Sequence, residues 1–341
     1  MIHLIPYDGI GGVETAARTM TDVSTGDIDF HVETIFPPTA SVNRWHAWNP
    51  ALYVRTIHRL FYQQPNLLIV SLWRAAFVGI VLKLLRPRMR LVLFLHYPHA
   101  VHRPDWFLTW LAARLSCEVW ADSKVTLSTR LQNVSGVSGR VISFVTSHNQ
   151  TSTAKPVRPV FVFWGRLHVQ KGLQRALRLF ARVYQQRTDA QFLVIGPDGG
   201  DLARLHGLVA ELSLLEPVRF YGGLDFNAIQ QVANSASFYL QTSELEGMAM
   251  SVVEAMQLGL VPVVTPVGEI AHYARQGENA VVVTDDAATL TDVLALLSDD
   301  KRYQTMREQA VATWVQQPLY RDSVLAACRD VLDGPRRIEA T

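Results

Sequence analysis

Two acidic residues, Glu246 and Glu254, flank the start of an expected helix, with seven residues between them. They follow a strand-like run at 237–240 and precede another at 260–264, so the local order is strand, loop, helix, strand. The N-terminus of a helix offers free N–H groups and a partial positive charge, which suit phosphate. A rise of about 1.5 Å per residue allows the two acids to lie on the order of 10 Å apart. This spacing fits a ligand with hydroxyl groups at both ends and a diphosphate between them, such as a nucleotide-sugar.

The same residues also fit helix capping without any ligand. Ser251 stands three residues before Glu254, and Ser243 stands three residues before Glu246. Both pairs have the spacing of a capping box, which is common where helices begin. Taken alone, the stretch favours capping. The motifs in the remainder of the chain are needed to distinguish capping from ligand binding.

The composition indicates two ordinary globular domains. The 341 residues fit two domains of roughly 150 each, and 49% are hydrophobic while 18% are charged. Cys117 and Cys328 lie far apart and fit neither a disulfide framework nor a metal site, so a reducing cytoplasm is the simplest setting. The sequence suggests neither a leader peptide nor an apolar run of about 18 residues, so we expect no membrane-spanning segment.

The net charge of +2 is unevenly distributed. Residues 1–150 hold 14 Lys and Arg against 9 Asp and Glu, whereas the remainder holds 18 against 21. A basic N-terminal half could face anionic lipid or an acidic acceptor, although a solvated surface explains the numbers equally well. Two stretches, Arg44 to Trp48 and Lys83 to Arg90, mix bases with aromatic or apolar residues as interfacial anchors do. Basic residues at a helix end that favour the dipole are the alternative. Nothing indicates a nucleic-acid partner.

The N-terminal half begins with a strand, a loop containing Gly11 and Gly12, and a helix expected from about 13 to 23. The loop lacks the dinucleotide fingerprint, but the two glycines would let backbone amides approach a ligand; a tight turn without a ligand is the alternative. Strand-like and helical runs then alternate, which predicts a parallel sheet covered on both faces. Ligands of such sheets bind beyond the carboxyl ends of the strands. His96 directly follows the strand-like run 90–95, so we favour it over His99 and His102; a structural or solvated role is the alternative for each of the three.

The C-terminal half repeats this pattern after a polar segment, 147–159, that we expect to be a linker. A strand at 160–164 leads into the loop from Gly165 to Gly172, which carries Arg166 and Lys171. Further strands are expected at 191–195 and 218–222, and at 237–240 and 260–264 on either side of the two acids described above. The second half therefore predicts a second doubly wound domain.

With these elements in order, the chain resembles the retaining glycosyltransferases of the GT-B fold, in particular glycosyltransferase family four. The matching elements are the following: Gly11-Gly-Val-Glu14, His96, Gly165-Arg-Leu with Lys171-Gly172, Val218-x-Phe-x-Gly222, Ser243-x-x-Glu246-Gly247, Glu254-Ala-Met, Gly259 to Val264, Val267-Gly268 and Gly277-Glu-Asn279. The resemblance implies an α/β fold with two doubly wound Rossmann-like domains facing across a cleft. The implied domains are 1–152 on the acceptor side, 153–318 on the nucleotide-sugar side, and a helix in 319–341 that crosses back.

The resemblance also implies a role for each matching residue. Arg166 and Lys171 would bind the donor diphosphate and stabilise the charge of the leaving group, so no metal and no other cofactor is expected. Glu246 would hold the donor sugar and Glu254 the ribose. His96 would reach the sugar from the other domain. The remaining donor contacts would come from Gly165, Gly222, Gly247, Met248, Ala249 and Met250, and Gly11 and Gly12 would admit the acceptor and the diphosphate.

Three positions depart from the family pattern. Met248-Ala249 replaces the usual Phe-Gly or Phe-Pro, Glu269 replaces a second glycine after Gly268, and Ala280 replaces a common glycine. These departures concern the identity of the donor sugar more than the activity.

The sequence therefore predicts a metal-independent transferase in the cytoplasm, with possible peripheral contact to the inner face of the membrane. It would move a hexose or N-acetylhexosamine from a UDP- or GDP-sugar to a glycan or lipid-linked acceptor, with retention, in the synthesis of a bacterial-type surface polysaccharide or glycolipid. A non-hydrolysing nucleotide-sugar epimerase of the same fold and a non-catalytic scaffold that binds sugar nucleotides are the alternatives.

Overall fold

The computed structural model describes residues 1–9, 11–21, 23–25, 27–37, 49–148 and 155–334. The chain divides into two compact units, Met1–Thr146 with Pro318–Thr341 and Ser147–Gln317. The last helix thus belongs to the N-terminal unit. The basic and aromatic stretch from Arg44 to Trp48 and the expected domain boundary at 152/153 lie outside the described residues.

The N-terminal unit is built on a twisted sheet of seven strands in the order β2-β3-β1-β4-β5-β6-β7. The strands are β1 Ile2–Ile5, β2 Val23–Thr25, β3 Ile28–Thr34, β4 Leu67–Ser71, β5 Arg90–Leu95, β6 Glu118–Ala121 and β7 Gly139–Val141. Only β2 pairs antiparallel, with β3; the other described pairs are parallel. The central strands read as continuous apolar runs because helices cover both faces of a parallel sheet.

Helices cover this sheet between consecutive strands. They are α1 Gly12–Arg18, α2 Pro50–Gln63, α3 Leu72–Leu85, α4 Arg103–Leu115, α5 Lys124–Leu131 and the C-terminal α13 Tyr320–Asp333. Side chains of Asn49, His102 and Ser123 cap the N-termini of α2, α4 and α5 by accepting backbone N–H groups. No helix of the described part of the chain is long and apolar enough to cross a membrane.

The C-terminal unit contains a parallel sheet of six strands in the order β10-β9-β8-β11-β12-β13. The strands are β8 Val160–Trp164, β9 Gln191–Ile195, β10 Val218–Phe220, β11 Phe238–Gln241, β12 Val261–Val264 and β13 Val281–Val282. The helices are α6 Leu173–Gln186, α7 Leu202–Glu211, α8 Phe226–Ala233, α9 Met250–Gln257, α10 Ile270–Tyr273, α11 Asp286–Ser298 and α12 Asp300–Val315. The chain runs outward from β8 in one direction and from β11 in the other, so the strand order reverses between these two neighbours. A crevice opens at the carboxyl ends of the strands at such a reversal.

Close backbone contacts join the carboxyl ends of β8, β9 and β10. The N–H of Gly165 donates to the carbonyl of Ile195 at 3.0 Å, and the N–H of Gly196 donates to the carbonyl of Gly222 at 2.7 Å. A Cβ atom on Gly196 would lie only 1.7 Å from the carbonyl oxygen of Gly165, so only glycine fits there. Gly165 and Gly222, both expected near the donor, therefore lie at one continuous edge.

The prediction of two doubly wound α/β domains is confirmed, but one local prediction is wrong. The helix expected over 13–23 ends at Arg18, and Val23–Thr25 instead pairs with β3. The intervening Thr-rich run has low helix propensity, and Val23 gains an antiparallel partner in Phe30. The helix expected within 319–341 is α13, which begins at Tyr320 after α12 ends at Val315. Pro318 lies between them, where it cannot continue a helix.

Candidate functional site

An ion pair joins the two sides of the crevice in the C-terminal sheet. Lys171 ends a 3₁₀ turn, Val169–Lys171, in the loop after β8, whereas Glu246 lies in the loop after β11. The Lys171 ammonium donates to Oε1 of Glu246 at 2.8 Å. The side chains are 21% and 7% exposed, so solvent screens the pair only in part. The structure thus brings together two residues that are 75 positions apart in the sequence.

Glu246 is held by further donors on the same oxygen. Its Oε1 also accepts from Nε2 of Gln241 at 3.0 Å and from the Ser243 hydroxyl at 2.7 Å. Gln241 is fixed in turn, because its Oε1 accepts from the hydroxyls of Tyr239 and Ser251. One carboxylate oxygen is therefore fully occupied, and the position of the other is set by this network.

The capping interpretation of the two serines is wrong. Helix α9 begins at Met250 with Ala249 as its N-cap, and no side chain caps it. Ser251 lies inside the helix and donates to Gln241, while Ser243 donates to the Glu246 carboxylate rather than accepting a backbone N–H. Both hydroxyls support the site instead, because the buried polar side chains of Gln241 and Glu246 need hydrogen-bond partners.

Glu254 lies in the first turn and a half of α9 and bonds to a residue of the neighbouring strand. Nε1 of Trp164, the last residue of β8, donates to Oε2 of Glu254 at 2.8 Å. Burial raises the pKa of the Glu254 carboxyl from its ordinary value of 4.5 to about 7, and the indole hydrogen bond, which lowers the pKa, offsets only part of that rise. The sequence did not single out Trp164, although its place at a strand end beside Gly165 was a signal.

The backbone from Gly247 to Met250 leads into the N-terminus of α9. Among the described residues, no hydrogen-bond acceptor meets the amide nitrogens of Met248 and Ala249. The carbonyls on the other side of this turn are occupied: Gly247 accepts from the N–H of Glu269 at 3.0 Å and Met248 from the Tyr273 hydroxyl at 3.1 Å. The amides that suit an anion are thus the ones left available.

Arg166 lies beside this crevice as an exposed cation. Within the described part of the chain, its guanidinium has no hydrogen-bond or ion-pair partner. Its aliphatic stem passes Gly199, where a Cβ atom would lie 2.6 Å from Cγ of Arg166. Arg166 therefore keeps all of its donors available at the loop after β8.

His96 occupies the carboxyl end of β5 in the N-terminal unit and is 9% exposed. Its Nε2 lies 2.8 Å from the Ser71 hydroxyl, which is also 2.8 Å from Nε2 of His3. Burial, and then the neighbouring His3, lower the pKa of His96 to about 3, so the ring is neutral near pH 7. Nδ1 is buried without a partner among the described residues. His102, by contrast, caps α4 through its Nδ1 atom.

The glycine loop after β1 has a local structural explanation. Gly11 precedes α1 with extended backbone, and a Cβ atom there would lie 2.4 Å from Oε2 of the buried Glu14. The carboxylate of Glu14 therefore folds back over Gly11. Gly12 is the first residue of α1. The expected approach of an acceptor to Gly11 and Gly12 stays a prediction.

Replacing Ala249 with glycine should stabilise the chain. Ala249 has φ +58°, a left-handed conformation that costs a residue with a Cβ atom about 1 kcal/mol relative to glycine. We expect a higher thermal midpoint for Ala249→Gly and a lower one for the control Ala255→Gly, inside α9. Equal losses in the two variants would contradict the assigned strain.

Replacing Glu254 with glutamine should flatten the dependence of stability on pH. Because the folded pKa is raised, the folded chain retains a proton that the unfolded chain releases above about pH 4.5. Wild-type stability should therefore fall as pH rises from about 4.5 through 7, by about 3 kcal/mol in all, and level off by about pH 8 on account of this group.

Urea unfolding at about pH 5 and pH 8 measures this difference. Glu254→Gln should lose less stability than wild type over the interval, whereas the control Glu308→Gln, an exposed acid on α12, should match wild type. An equal loss in wild type and Glu254→Gln would refute the raised pKa.

Comparisons with known proteins agree with this architecture. The family model described as Glycosyl transferases group 1 matches residues 146–313. A GDP-mannose:cellobiosyl-diphosphopolyprenol alpha-mannosyltransferase of Komagataeibacter xylinus is 28% identical over 154 residues, covering 43% of this chain and 39% of that protein. A 2-deoxystreptamine glucosyltransferase of Streptomyces kanamyceticus is 34% identical over 155 residues, 40% of this chain and 39% of that protein. These matches span about two fifths of the curated relatives' length.

The likeness to a solved structure extends over both units. The crystal structure of Anabaena Alr3699/HepE in complex with UDP-glucose has a TM-score of 0.77 at 18% identity, covering 97% of this chain and 98% of that one. At this identity the likeness establishes the fold, which is GT-B. Residues 146–313 accordingly match the Glycosyl transferases group 1 model within a chain of the GT-B fold.

Proposed function

We propose that the chain is a retaining glycosyltransferase of glycosyltransferase family four that moves a hexose or N-acetylhexosamine from a UDP- or GDP-sugar to a glycan or lipid-linked acceptor. The observation that carries this proposal is the pairing of Lys171 with Glu246 across the strand-order reversal, next to the open amides at the start of α9. Cation, acid and amides converge there on the part of the sheet where ligands of doubly wound folds bind. The domain match to Glycosyl transferases group 1 supports the same activity.

In this proposal the diphosphate of the donor lies between Arg166, Lys171 and the N-terminus of α9. The Lys171 ammonium has three N–H donors, of which Glu246 takes one, so it can bind a phosphate without leaving the acid. Arg166 adds a planar fork of donors that no described residue occupies. Negative charge grows on the diphosphate as the sugar leaves, and these cations stabilise it most in the transition state.

The two acids would hold opposite ends of the donor. Glu246 has one oxygen occupied by three donors and would accept sugar hydroxyls on the other. Glu254 would accept the ribose hydroxyls, with Trp164 fixing its orientation. Because hydroxyl donors favour the ionised carboxylate, nucleotide binding should lower the pKa of Glu254. His96 would offer the sugar a neutral hydrogen-bonding group.

Retention of configuration at the glycosyl carbon would follow if the acceptor hydroxyl attacks on the same face from which the diphosphate leaves. The glycosyl centre passes through an oxocarbenium-like state, and the departing phosphate can accept the proton of the acceptor hydroxyl on the same face. We assign no protein nucleophile. The names of the compared proteins include GDP-mannose and UDP-glucose, so the proposal includes both guanosine and uridine diphosphate sugars as donors.

Two other functions would use the same residues differently. A nucleotide-sugar epimerase would need further acid and base groups beside the sugar, and a binding scaffold would need the phosphate contacts alone. Incubation with radiolabelled UDP- and GDP-sugars without acceptor separates the three. Slow release of free sugar supports the transferase, an altered sugar still on its nucleotide supports the epimerase, and tight binding without turnover supports the scaffold.

Replacing Lys171 with methionine should lower kcat for donor turnover at least about a hundredfold, because the leaving diphosphate loses a positioned cation. The matched control is Lys301→Met, which removes an exposed cation from α12 of the same unit. Thermal melts check that Lys171→Met stays folded. A folded variant with near-normal kcat would remove Lys171 from the mechanism.

Turnover should be insensitive to EDTA, because Arg166 and Lys171 supply the positive charge for the diphosphate in this proposal. The measurement compares initial rates with and without excess chelator on protein purified without added divalent ions. Loss of activity that only Mg²⁺ or Mn²⁺ restores would contradict a metal-independent mechanism.

A further inference from the structure

A cavity of about 780 Å³ lies at the amino ends of β4 and β5 in the N-terminal unit. It is lined by Pro65, Asn66, Arg86, Pro87, Arg88, Met89, Arg90 and Leu332. Three of these eight residues carry a guanidinium group, and none carries a carboxylate. We propose that this cavity binds the phosphate group of a phosphate ester.

The turn that presents the arginines is held by other atoms. Helix α3 ends at Leu85, and the N–H of Met89 donates to the carbonyl of Arg86 at 2.9 Å. The Lys83 ammonium donates to the carbonyls of Pro87 at 2.6 Å and Met89 at 2.9 Å. Lys83 therefore satisfies the carbonyls of the turn, and the guanidinium groups are not required for that purpose.

Two of the arginines have buried donors that no described residue satisfies. Nη1 of Arg86 and Nη1 of Arg90 are both buried without a hydrogen-bond partner among the described residues. Arg90 makes one bond elsewhere, from Nη2 to the carbonyl of Gly334 at 3.0 Å. A buried charged donor without an acceptor is costly. An anion in the cavity would meet the exposed Arg88 directly, and it would supply acceptor oxygens to Arg86 and Arg90 once their guanidinium groups turned toward it.

A basic residue at a helix C-terminus is ordinarily explained by the helix dipole. That explanation accounts for Lys83, which bonds to carbonyls beyond α3. It leaves the buried Nη1 atoms of Arg86 and Arg90 without acceptors, because the dipole provides no hydrogen bond to them. The arginine donors therefore point to a ligand rather than to helix stabilisation.

The chemistry of the cavity selects a phosphate ester. Guanidinium forks match phosphate oxygens in pairs, and three of them within five residues exceed what a single carboxylate needs. The cavity is far larger than a bare phosphate ion, so there is room for an organic group. Met89 and Leu332 also line the cavity, and their side chains suit an apolar group.

This site is separate from the one proposed for the sugar donor. Arg86 and Arg88 precede β5 and Arg90 is its first residue, whereas His96 follows the strand. The arginines and His96 therefore lie at opposite ends of β5. The inference does not depend on the proposed transferase activity. A chain without transferase activity could still bind a phosphate ester here.

Calorimetric titration with glycerol 3-phosphate tests the site on the full chain. Arg86→Gln/Arg88→Gln is the informative variant, because neither side chain makes a structural hydrogen bond in the described residues, whereas Arg90 does. The matched control, Arg55→Gln/Arg103→Gln, removes from the same unit two exposed charges that have no partner among the residues the structure describes. Circular dichroism confirms folding of each.

We expect the informative variant to bind glycerol 3-phosphate at least about tenfold more weakly than wild type, with the control unchanged. A second arm measures flotation with phosphatidylcholine vesicles, with and without phosphatidylglycerol. Loss of titration binding supports a soluble phosphate ester, and loss of flotation with anionic vesicles alone supports a lipid headgroup. Wild-type behaviour of the informative variant in both arms, or equal losses in the two variants, would overturn the proposal.

Discussion

The reversal of strand order between β8 and β11 determines where the chemistry of the C-terminal unit can occur. The loops that follow these two adjacent parallel strands run in opposite directions, and the Lys171–Glu246 ion pair connects them across the crevice. The pair is buried on the acidic side and partly solvated on the basic side, so it keeps a positive group at the surface of the crevice. Each remaining feature of the site contacts this pair, continues from its loops or lies along the same sheet edge.

The hydrogen bonds around Glu246 explain why the surrounding polar residues are needed. Tyr239, Gln241, Ser243 and Ser251 form a continuous network that ends on one carboxylate oxygen. Without Gln241 and Ser243, Lys171 would be the one remaining hydrogen-bond donor to this buried acid among the described residues, and burial of an under-satisfied charge is costly. Glu254 is treated differently: it has one indole donor and a raised pKa. The two acids of one loop and helix are therefore chemically distinct before any ligand binds.

The sequence predicted much of this arrangement because the rules that govern it are topological. Alternating strands and helices require a doubly wound sheet in each half of the chain. Residues at strand ends must then lie along the carboxyl edge of their own sheet, which holds for Lys171 and Glu246 in the C-terminal sheet and for His96 in the N-terminal sheet. Hydrogen-bond partners could not be predicted in the same way. Ser251 has the spacing of a cap, yet the helix begins at Ala249 in a left-handed conformation, and the serine bonds to Gln241 instead. Trp164 read as a core residue of β8, and its indole contact depends on a side-chain direction that periodicity does not report. The cavity among the arginines was visible only as a basic run, since burial of particular guanidinium nitrogens is a property of the fold.

Our central claim is that a sugar nucleotide binds along this site, with its sugar end at the Lys171–Glu246 pair and its ribose at Glu254. A crystal structure of the chain with bound UDP or GDP tests it most directly. The account predicts a diphosphate contacting Arg166, Lys171 and the amides of Met248 and Ala249, with the ribose hydroxyls on Glu254. A nucleotide bound away from the carboxyl ends of β8 and β11, or one whose phosphates avoid Lys171, would contradict it.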